Sequence, residues 1–124
     1  MTIFLALSAA VWLPYGLYCL ALPGFLADAA GVAAATPTGT TELRAMYGGL
    51  QAGIGTFALV SLWRPALRRP ALLCILFLTA GLLSARLLGA GLDASFTSYT
   101  VTALGFEGLS VAFAAFLLRG AAPA

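Results

Sequence analysis

The sequence predicts an all-α polytopic membrane protein, built as an antiparallel bundle of four transmembrane helices. Hydrophobic residues make up 62% of the 124 residues and charged residues only 8%, and the mean hydropathy is +1.04. Four apolar stretches each have about the 20 residues that a helix needs to cross the hydrocarbon core of a bilayer. A water-soluble fold of this composition would expose large apolar patches and aggregate.

The first predicted span covers residues 3–22, with Pro14 as a kink that neighbouring helices accommodate. We interpret this span as a retained helix and not a cleaved signal, because no Lys or Arg precedes its apolar run. An outer loop over 23–41 follows, and its stretch 25–32 predicts a short interfacial helix.

The second predicted span covers residues 43–63. Thr40 or Thr41 is expected to cap it, since a threonine oxygen can accept a backbone N–H at a helix start. Glu42 would then lie in the first turn, near the positive end of the helix dipole.

The third and fourth spans are predicted over 71–92 and 99–118. Pro65 and Pro70 bracket the short loop before the third span, where they can end one helix and begin the next. Together the four spans predict a single membrane domain over residues 1–124.

The arginines predict the orientation of the chain. Cytoplasmic loops of membrane proteins carry an excess of Arg and Lys, and the even number of spans puts both termini and the middle loop on one side. The sequence therefore predicts cytoplasmic termini. The arginines that support this are Arg64, Arg68 and Arg69 in the middle loop and Arg119 after the last span.

The two cysteines are not expected to form a disulfide. In the predicted topology Cys19 and Cys74 lie near opposite ends of their helices, about 20 Å apart along the membrane normal at 1.5 Å per residue. A disulfide needs Cα atoms within about 7 Å, so both are interpreted as buried small hydrophobic residues.

Polar side chains within the spans are costly in lipid, so each needs a partner or a function. By their positions along the helices they predict one layer in the outer half of the bundle. We select six of them as candidates for binding a ligand: Glu42, Arg44, Tyr47, Gln51, Arg86 and Glu107.

The charges of this layer can balance, and the sequence leaves the pairing open. Arg44 can pair with Glu107, and Arg86 with either Glu42 or Glu107. A balanced network can simply fix how the helices pack, or it can line a pocket for an anionic head group. A conduction path is the least favoured interpretation, because the inner halves of the spans lack ionisable residues.

Glycines in the spans predict close helix packing, because small residues let backbones approach in lipid. In the second span we favour packing within the chain over a dimer face. Glycines of the third and fourth spans predict that the bundle is tightly packed throughout. These positions are Gly48, Gly49, Gly53 and Gly55, then Gly81, Gly89, Gly105 and Gly108.

Several chemistries are excluded by composition. The chain has no histidine, so a conventional haem ligand or His-based general base is excluded. Two separated cysteines cannot form a structural zinc site, and a broad basic face for nucleic acid cannot be built. The sequence therefore predicts no cofactor, no metal site and no nucleic-acid partner.

The second span carries a motif in which Glu42 is followed by Arg44-Ala45 and then by Tyr47-Gly48-Gly49. With this motif the chain resembles the small bacterial four-helix membrane proteins of domain-of-unknown-function family 4345. The resemblance implies the four-helix topology, an arginine in span three and a glutamate in span four, which Arg86 and Glu107 match. It implies no activity.

Two functions remain as hypotheses. The first is a non-enzymatic membrane protein, either a homo-oligomer or an accessory subunit of another membrane protein. The second is a binder, carrier or membrane-embedded enzyme for a lipid-like or small anionic molecule, acting at the polar layer. In both, the expected location is the bacterial inner membrane and the lipid bilayer is a partner.

Overall fold

Four helices long and apolar enough to cross a membrane run through residues 1–120, which are the residues that the computed structural model describes. They cover Thr2–Ala21, Pro37–Trp63, Pro65–Asp93 and Ser98–Arg119, and no strand occurs among residues 1–120. The prediction of an all-α chain with four membrane-length helices is confirmed. The last four residues of the predicted cytoplasmic C-terminus lie outside the described part.

The first membrane helix is α1, Thr2–Ala21, and it contains Pro14. A short helix, α2, follows over Phe25–Ala30, within the stretch for which the sequence predicts an interfacial helix. It ends at Gly31, whose φ of 70° lies in the left-handed region that glycine adopts without a steric penalty.

The second membrane helix has three parts: α3 over Pro37–Leu43, a π-helical turn over Arg44–Gly49, and α4 over Leu50–Trp63. Its N-cap is Thr36, whose side chain accepts a hydrogen bond of 3.1 Å from the backbone N–H of Gly39. The predicted caps, Thr40 and Thr41, are wrong. Thr36 followed by Pro37 combines a capping oxygen with a φ already fixed for the first helical position, so the helix begins earlier.

The third membrane helix begins with a 3₁₀ turn over Pro65–Leu67 and continues as α5 over Arg68–Asp93. The fourth is α6, Ser98–Arg119, capped by Thr97, whose hydroxyl accepts a hydrogen bond of 3.2 Å from the Thr100 N–H. Large apolar side chains remain on the outside of these helices, and Phe77 and Phe116 are each 72% exposed. Such a surface suits lipid as the solvent.

The chain forms two compact units, which are described separately. The first unit is residues 2–68, and the second is Met1 together with residue 69 onwards. The prediction of a single membrane domain over 1–124 stays a prediction. Cys19 lies in the first unit and Cys74 in the second, and both are free, as the sequence predicts.

Within the first unit, α1 packs against α4 and the π-turn at backbone distance. A Cβ atom added at Gly16 would collide with the backbone of Ala52, and one added at Gly55 would collide with the backbone of Leu13. One added at Gly48 would lie 2.8 Å from the Cα of Leu20. The prediction that second-span glycines pack within the chain is therefore confirmed for Gly48 and Gly55.

The other glycines do not support the prediction of tight packing throughout. A Cβ atom added at any of those given below would meet no described atom within 4 Å, so these glycines make no close helix contact and tight packing throughout stays a prediction. The glycine seam follows Gly48, Ala52 and Gly55, spaced by four and three residues along the second membrane helix. The glycines with open space are Gly53, Gly81, Gly89, Gly105 and Gly108.

Candidate functional site

The six candidate residues fall into two sets along the chain. Glu42, Arg44, Tyr47 and Gln51 belong to the first unit, on α3, the π-turn and the start of α4. Arg86 and Glu107 belong to the second unit, on α5 and α6. Of the pairings that the sequence leaves open, the structure forms Arg86 with Glu107.

The salt bridge between Arg86 and Glu107 is bidentate. The Nε of Arg86 donates to Oε1 and Oε2 of Glu107 at 3.1 and 3.2 Å, and Nη2 donates to Oε1 at 2.9 Å. The Glu107 side chain is only 4% exposed, against 28% for Arg86. A fork of charge-assisted hydrogen bonds of this kind fixes both geometry and charge.

Glu107 is one of four buried residues of α6, which recur at helical spacing together with Thr100, Ser110 and Ala114. The hydroxyl of Ser110 donates to the Phe106 carbonyl at 2.8 Å, so it is satisfied within its own helix. The carboxylate of Glu107 cannot be satisfied by a carbonyl of its own helix, because a carboxylate accepts hydrogen bonds. In lipid it needs a hydrogen-bond donor and a positive charge from another residue. Arg86 supplies both.

Tyr99 is a further member of this arrangement that the sequence does not single out as a site residue. The guanidinium carbon of Arg86 lies 5.8 Å from the centre of the Tyr99 ring, within the range of a cation–π contact. The signal was present in the sequence, since Tyr99 lies about two turns before Glu107 on the same helix. As a result Arg86 is held by two side chains of α6.

Arg44 is used differently. Its Nε donates to the Leu20 carbonyl at 3.2 Å, and Leu20 is the second-last residue of α1. The last four carbonyls of a helix lack intrahelical donors, and a cation is favourable at this end of the helix dipole. Arg44 therefore caps α1 from the neighbouring helix.

The π-turn makes this cap possible. Over Arg44–Gly49 the hydrogen bonding shifts by one residue, and the Leu50 N–H bonds to the Ala45 carbonyl five residues back. Gly48 within the turn admits the backbone of Leu20. The motif that the sequence singles out thus has a local structural basis: its glycine admits the end of α1, and its arginine caps that end.

Arg68 provides a comparison within the same unit. Its Nε and Nη2 donate to the carbonyls of Ser61 and Leu62 at 3.4 and 3.1 Å, in the last turn of α4. It is half-buried and is a capping arginine that uses both ends of its guanidinium. For Arg44 only the Nε bond is formed within residues 1–120.

The remaining candidates of the first unit make no hydrogen bond or ion pair with residues 1–120. Tyr47 and Gln51 are half-buried, and Glu42 is exposed. Glu42 lies two residues before Arg44, about 200° around the helix at 100° per residue, so it points away from the Arg44 side. Arg44, Tyr47 and Gln51 follow one another along the second membrane helix, through the π-turn and into the start of α4.

A surface cavity of about 630 Å³ opens elsewhere in the second unit, near the end of α6, where Leu117 and Arg119 line it. Arg119 is about 18 Å along the helix from Glu107 at 1.5 Å per residue. The salt bridge therefore does not line this cavity.

A family model described as Domain of unknown function (DUF4345) matches residues 1–118. It covers nearly the whole chain, including the motif on the π-turn, Arg86 and Glu107. No curated protein and no solved structure matches the chain significantly.

Proposed function

The chain belongs to domain-of-unknown-function family 4345, and we propose that it works as a non-enzymatic integral membrane protein, either a homo-oligomer or an accessory subunit of a larger assembly. One observation carries this proposal. The most buried Asp, Glu or Arg side chain among residues 1–120, that of Glu107, is engaged by Arg86 through both oxygens. A carboxylate held in this way serves packing, and acid–base chemistry would first have to break the pair.

The glycines of α5 that have open space at their Cβ positions support a partner helix in the membrane. Gly81, Ala85 and Gly89 recur every four residues, and a Cβ atom at either glycine would meet no described atom within 4 Å. Without a hydrophobic driving force in lipid, helices associate where small residues allow close van der Waals contact. A second copy or another membrane protein can make that contact.

The proposed location is a bacterial inner membrane, with both termini and the loop around Arg68 in the cytoplasm. The distribution of arginines supports this orientation. The connections from the second to the third and from the third to the fourth membrane helix are short, which favours partners within the membrane.

Native mass spectrometry of the full chain in mild detergent tests this proposal. We expect one defined oligomer or one stoichiometric membrane partner. The double substitution Gly81→Ile and Gly89→Ile should dissociate it, because branched side chains hold the helices apart. Gly53→Ile, at an equally open glycine on α4, is the matched control. A strict monomer without any co-purifying protein would contradict the proposal.

A second candidate function is favoured by a separate observation in the first unit. Arg44, Tyr47 and Gln51 present polar groups that are not used within residues 1–120, as a site for an external ligand requires. The chain would then bind or carry a lipid-like or small anionic molecule, or act on it as a membrane-embedded enzyme.

A further inference from the structure

We propose that the stretch of the second membrane helix that carries Arg44, Tyr47 and Gln51, called the Arg44 face below, binds the phosphate and ester groups of a membrane phospholipid. This inference rests on the second candidate function above and names its site and ligand class. It is independent of the proposed oligomer.

Two contacts with the end of α1 fix the depth of the Arg44 guanidinium. The bond from Arg44 Nε to the Leu20 carbonyl, 3.2 Å long, holds the guanidinium level with the last turn of α1. The contact between Gly48 and the Leu20 backbone holds the two segments together at this point. Since α1 has the length of one membrane crossing, its end lies where the hydrocarbon core gives way to head groups. Lipid phosphates lie at that depth.

Most of the N–H donors of Arg44 have no acceptor within residues 1–120. A guanidinium carries five N–H donors in a planar fork, and the bond to Leu20 uses one of them. The four N–H groups on Nη1 and Nη2 of Arg44 have no acceptor within residues 1–120, and the side chain is exposed. A planar pair of this kind matches two oxygens of a phosphate group.

Comparison with Arg68 separates capping from binding. Arg68 also caps a helix end in this unit, but its Nη2 donates to the Leu62 carbonyl at 3.1 Å and the residue is half-buried. At Arg68 a terminal nitrogen is therefore used by the helix end itself. At Arg44 the Nε bond caps the helix while the terminal nitrogens remain outside.

The polar groups of the Arg44 face extend along the helix. Tyr47 and Gln51 follow Arg44 by three and seven residues, which takes the polar groups up to about 10 Å further along the helix towards the membrane interior. Both are half-buried and unpaired within residues 1–120. A free phosphate ion does not extend over this distance. A glycerophospholipid does, because its ester carbonyls lie below the phosphate and can accept from a hydroxyl and an amide.

The charge of the Arg44 face comes from Arg44. Glu42, the nearest acid in the sequence, lies about 200° around the helix from Arg44 and is exposed. The Arg44 face therefore keeps its positive charge and favours an anionic head group.

Native mass spectrometry with added ligand tests the inference on the purified full chain in a neutral detergent. Three probes are titrated separately: phosphatidylglycerol, diacylglycerol and inorganic phosphate. We expect one phosphatidylglycerol to bind tightly, diacylglycerol to bind weakly because it lacks the phosphate, and inorganic phosphate to bind weakly because it lacks the esters. Arg44→Gln should weaken phosphatidylglycerol binding about tenfold, the effect of losing a charge-assisted hydrogen bond.

Arg68→Gln is the matched control, because it removes the same charge and a helix cap in the same unit. It should leave phosphatidylglycerol affinity unchanged. Arg44→Lys should keep the charge and a donor for the Leu20 carbonyl while losing the planar fork, and should weaken binding about fivefold. This second variant also serves if Arg44→Gln does not fold.

Unchanged phosphatidylglycerol affinity in both Arg44 variants would overturn the inference, and so would an equal loss in Arg68→Gln. Inorganic phosphate that binds as tightly as phosphatidylglycerol would overturn the lipid as ligand. If the wild-type chain binds the lipid and only the Arg86→Met, Glu107→Gln double variant loses it, the second candidate function stands with a different site. If the wild-type chain binds none of the probes, both fail.

Discussion

In the first unit, α1 and α4 come so close that a Cβ atom at Gly16 would overlap the backbone of Ala52. In the second unit, none of the glycines of α5 meets a described atom within 4 Å at its Cβ position. There the contact between α5 and α6 that can be named atom by atom is long-range and polar, from Arg86 to Glu107 and to the Tyr99 ring. The two pairs of helices are held by different forces.

The difference reflects the two ways in which helices can associate in lipid. Apolar burial gives no advantage there, so association relies on close van der Waals contact or on polar bonds between helices. Close contact needs small residues at matched positions on both helices. A polar bond tolerates a wider gap, because long side chains such as arginine and glutamate span it.

The largest effect is expected in the glycine seam. Gly16→Val should lower the free energy of unfolding by about 3 kcal/mol, because the new side chain collides with the backbone of Ala52, which cannot move aside as a side chain could. Equilibrium unfolding in mixed detergent micelles, followed through the buried Trp12 in a Trp63→Phe background, measures this change.

Gly53→Val is the matched control on α4, where an added Cβ meets no described atom within 4 Å. It should change the free energy of unfolding by less than about 0.5 kcal/mol. Equal losses for Gly16→Val and Gly53→Val would contradict the seam, since helix propensity alone would then explain both.

A smaller effect is expected at the salt bridge. Arg86→Met and Glu107→Gln should each lower the free energy of unfolding by about 2 kcal/mol, because each leaves a polar or charged group without its partner. A fully buried pair would lose more when broken. The Arg86 side chain is 28% exposed, so in the Glu107 variant its guanidinium can turn away from the bundle. This reduces the loss in the free energy of unfolding. The same unfolding measurement applies.

The double variant sharpens this test. If the two side chains stabilise the protein as a pair, the double variant Arg86→Met, Glu107→Gln should lose clearly less free energy of unfolding than the sum of the two single losses. Strictly additive losses would contradict the pairing. Single variants that lose no stability would show that neither helix depends on this contact.

Much of the fold could be predicted from the sequence because lipid constrains it so strongly. Helices of about 20 apolar residues are the main way for a chain of this composition to satisfy its backbone in a membrane, and the four apolar stretches follow directly. The start of the second helix was placed wrongly, because Thr40 and Thr41 also have the chemistry of a cap. Pro37 after Thr36 was the better signal, since it fixes the backbone of the first helical residue.

The site could be predicted only as a set of residues. Burial of Glu107 follows from helical periodicity, and its need for an arginine follows from lipid. The partner could not be chosen, because side-chain reach depends on how far apart the helices are held. The capping role of Arg44 could not be predicted either. It depends on a π-turn and on a carbonyl of another helix, and the local sequence pattern indicates neither.

A structure of the protein in a lipid nanodisc would test most directly whether Arg86 pairs with Glu107 while Arg44 binds a lipid. The predicted result is that the Arg86 guanidinium remains within hydrogen-bond distance of both Glu107 oxygens, while non-protein density with the shape of a phospholipid head group contacts the terminal nitrogens of Arg44. A ligand wedged between Arg86 and Glu107, with Arg44 turned inwards onto backbone carbonyls, would contradict the account.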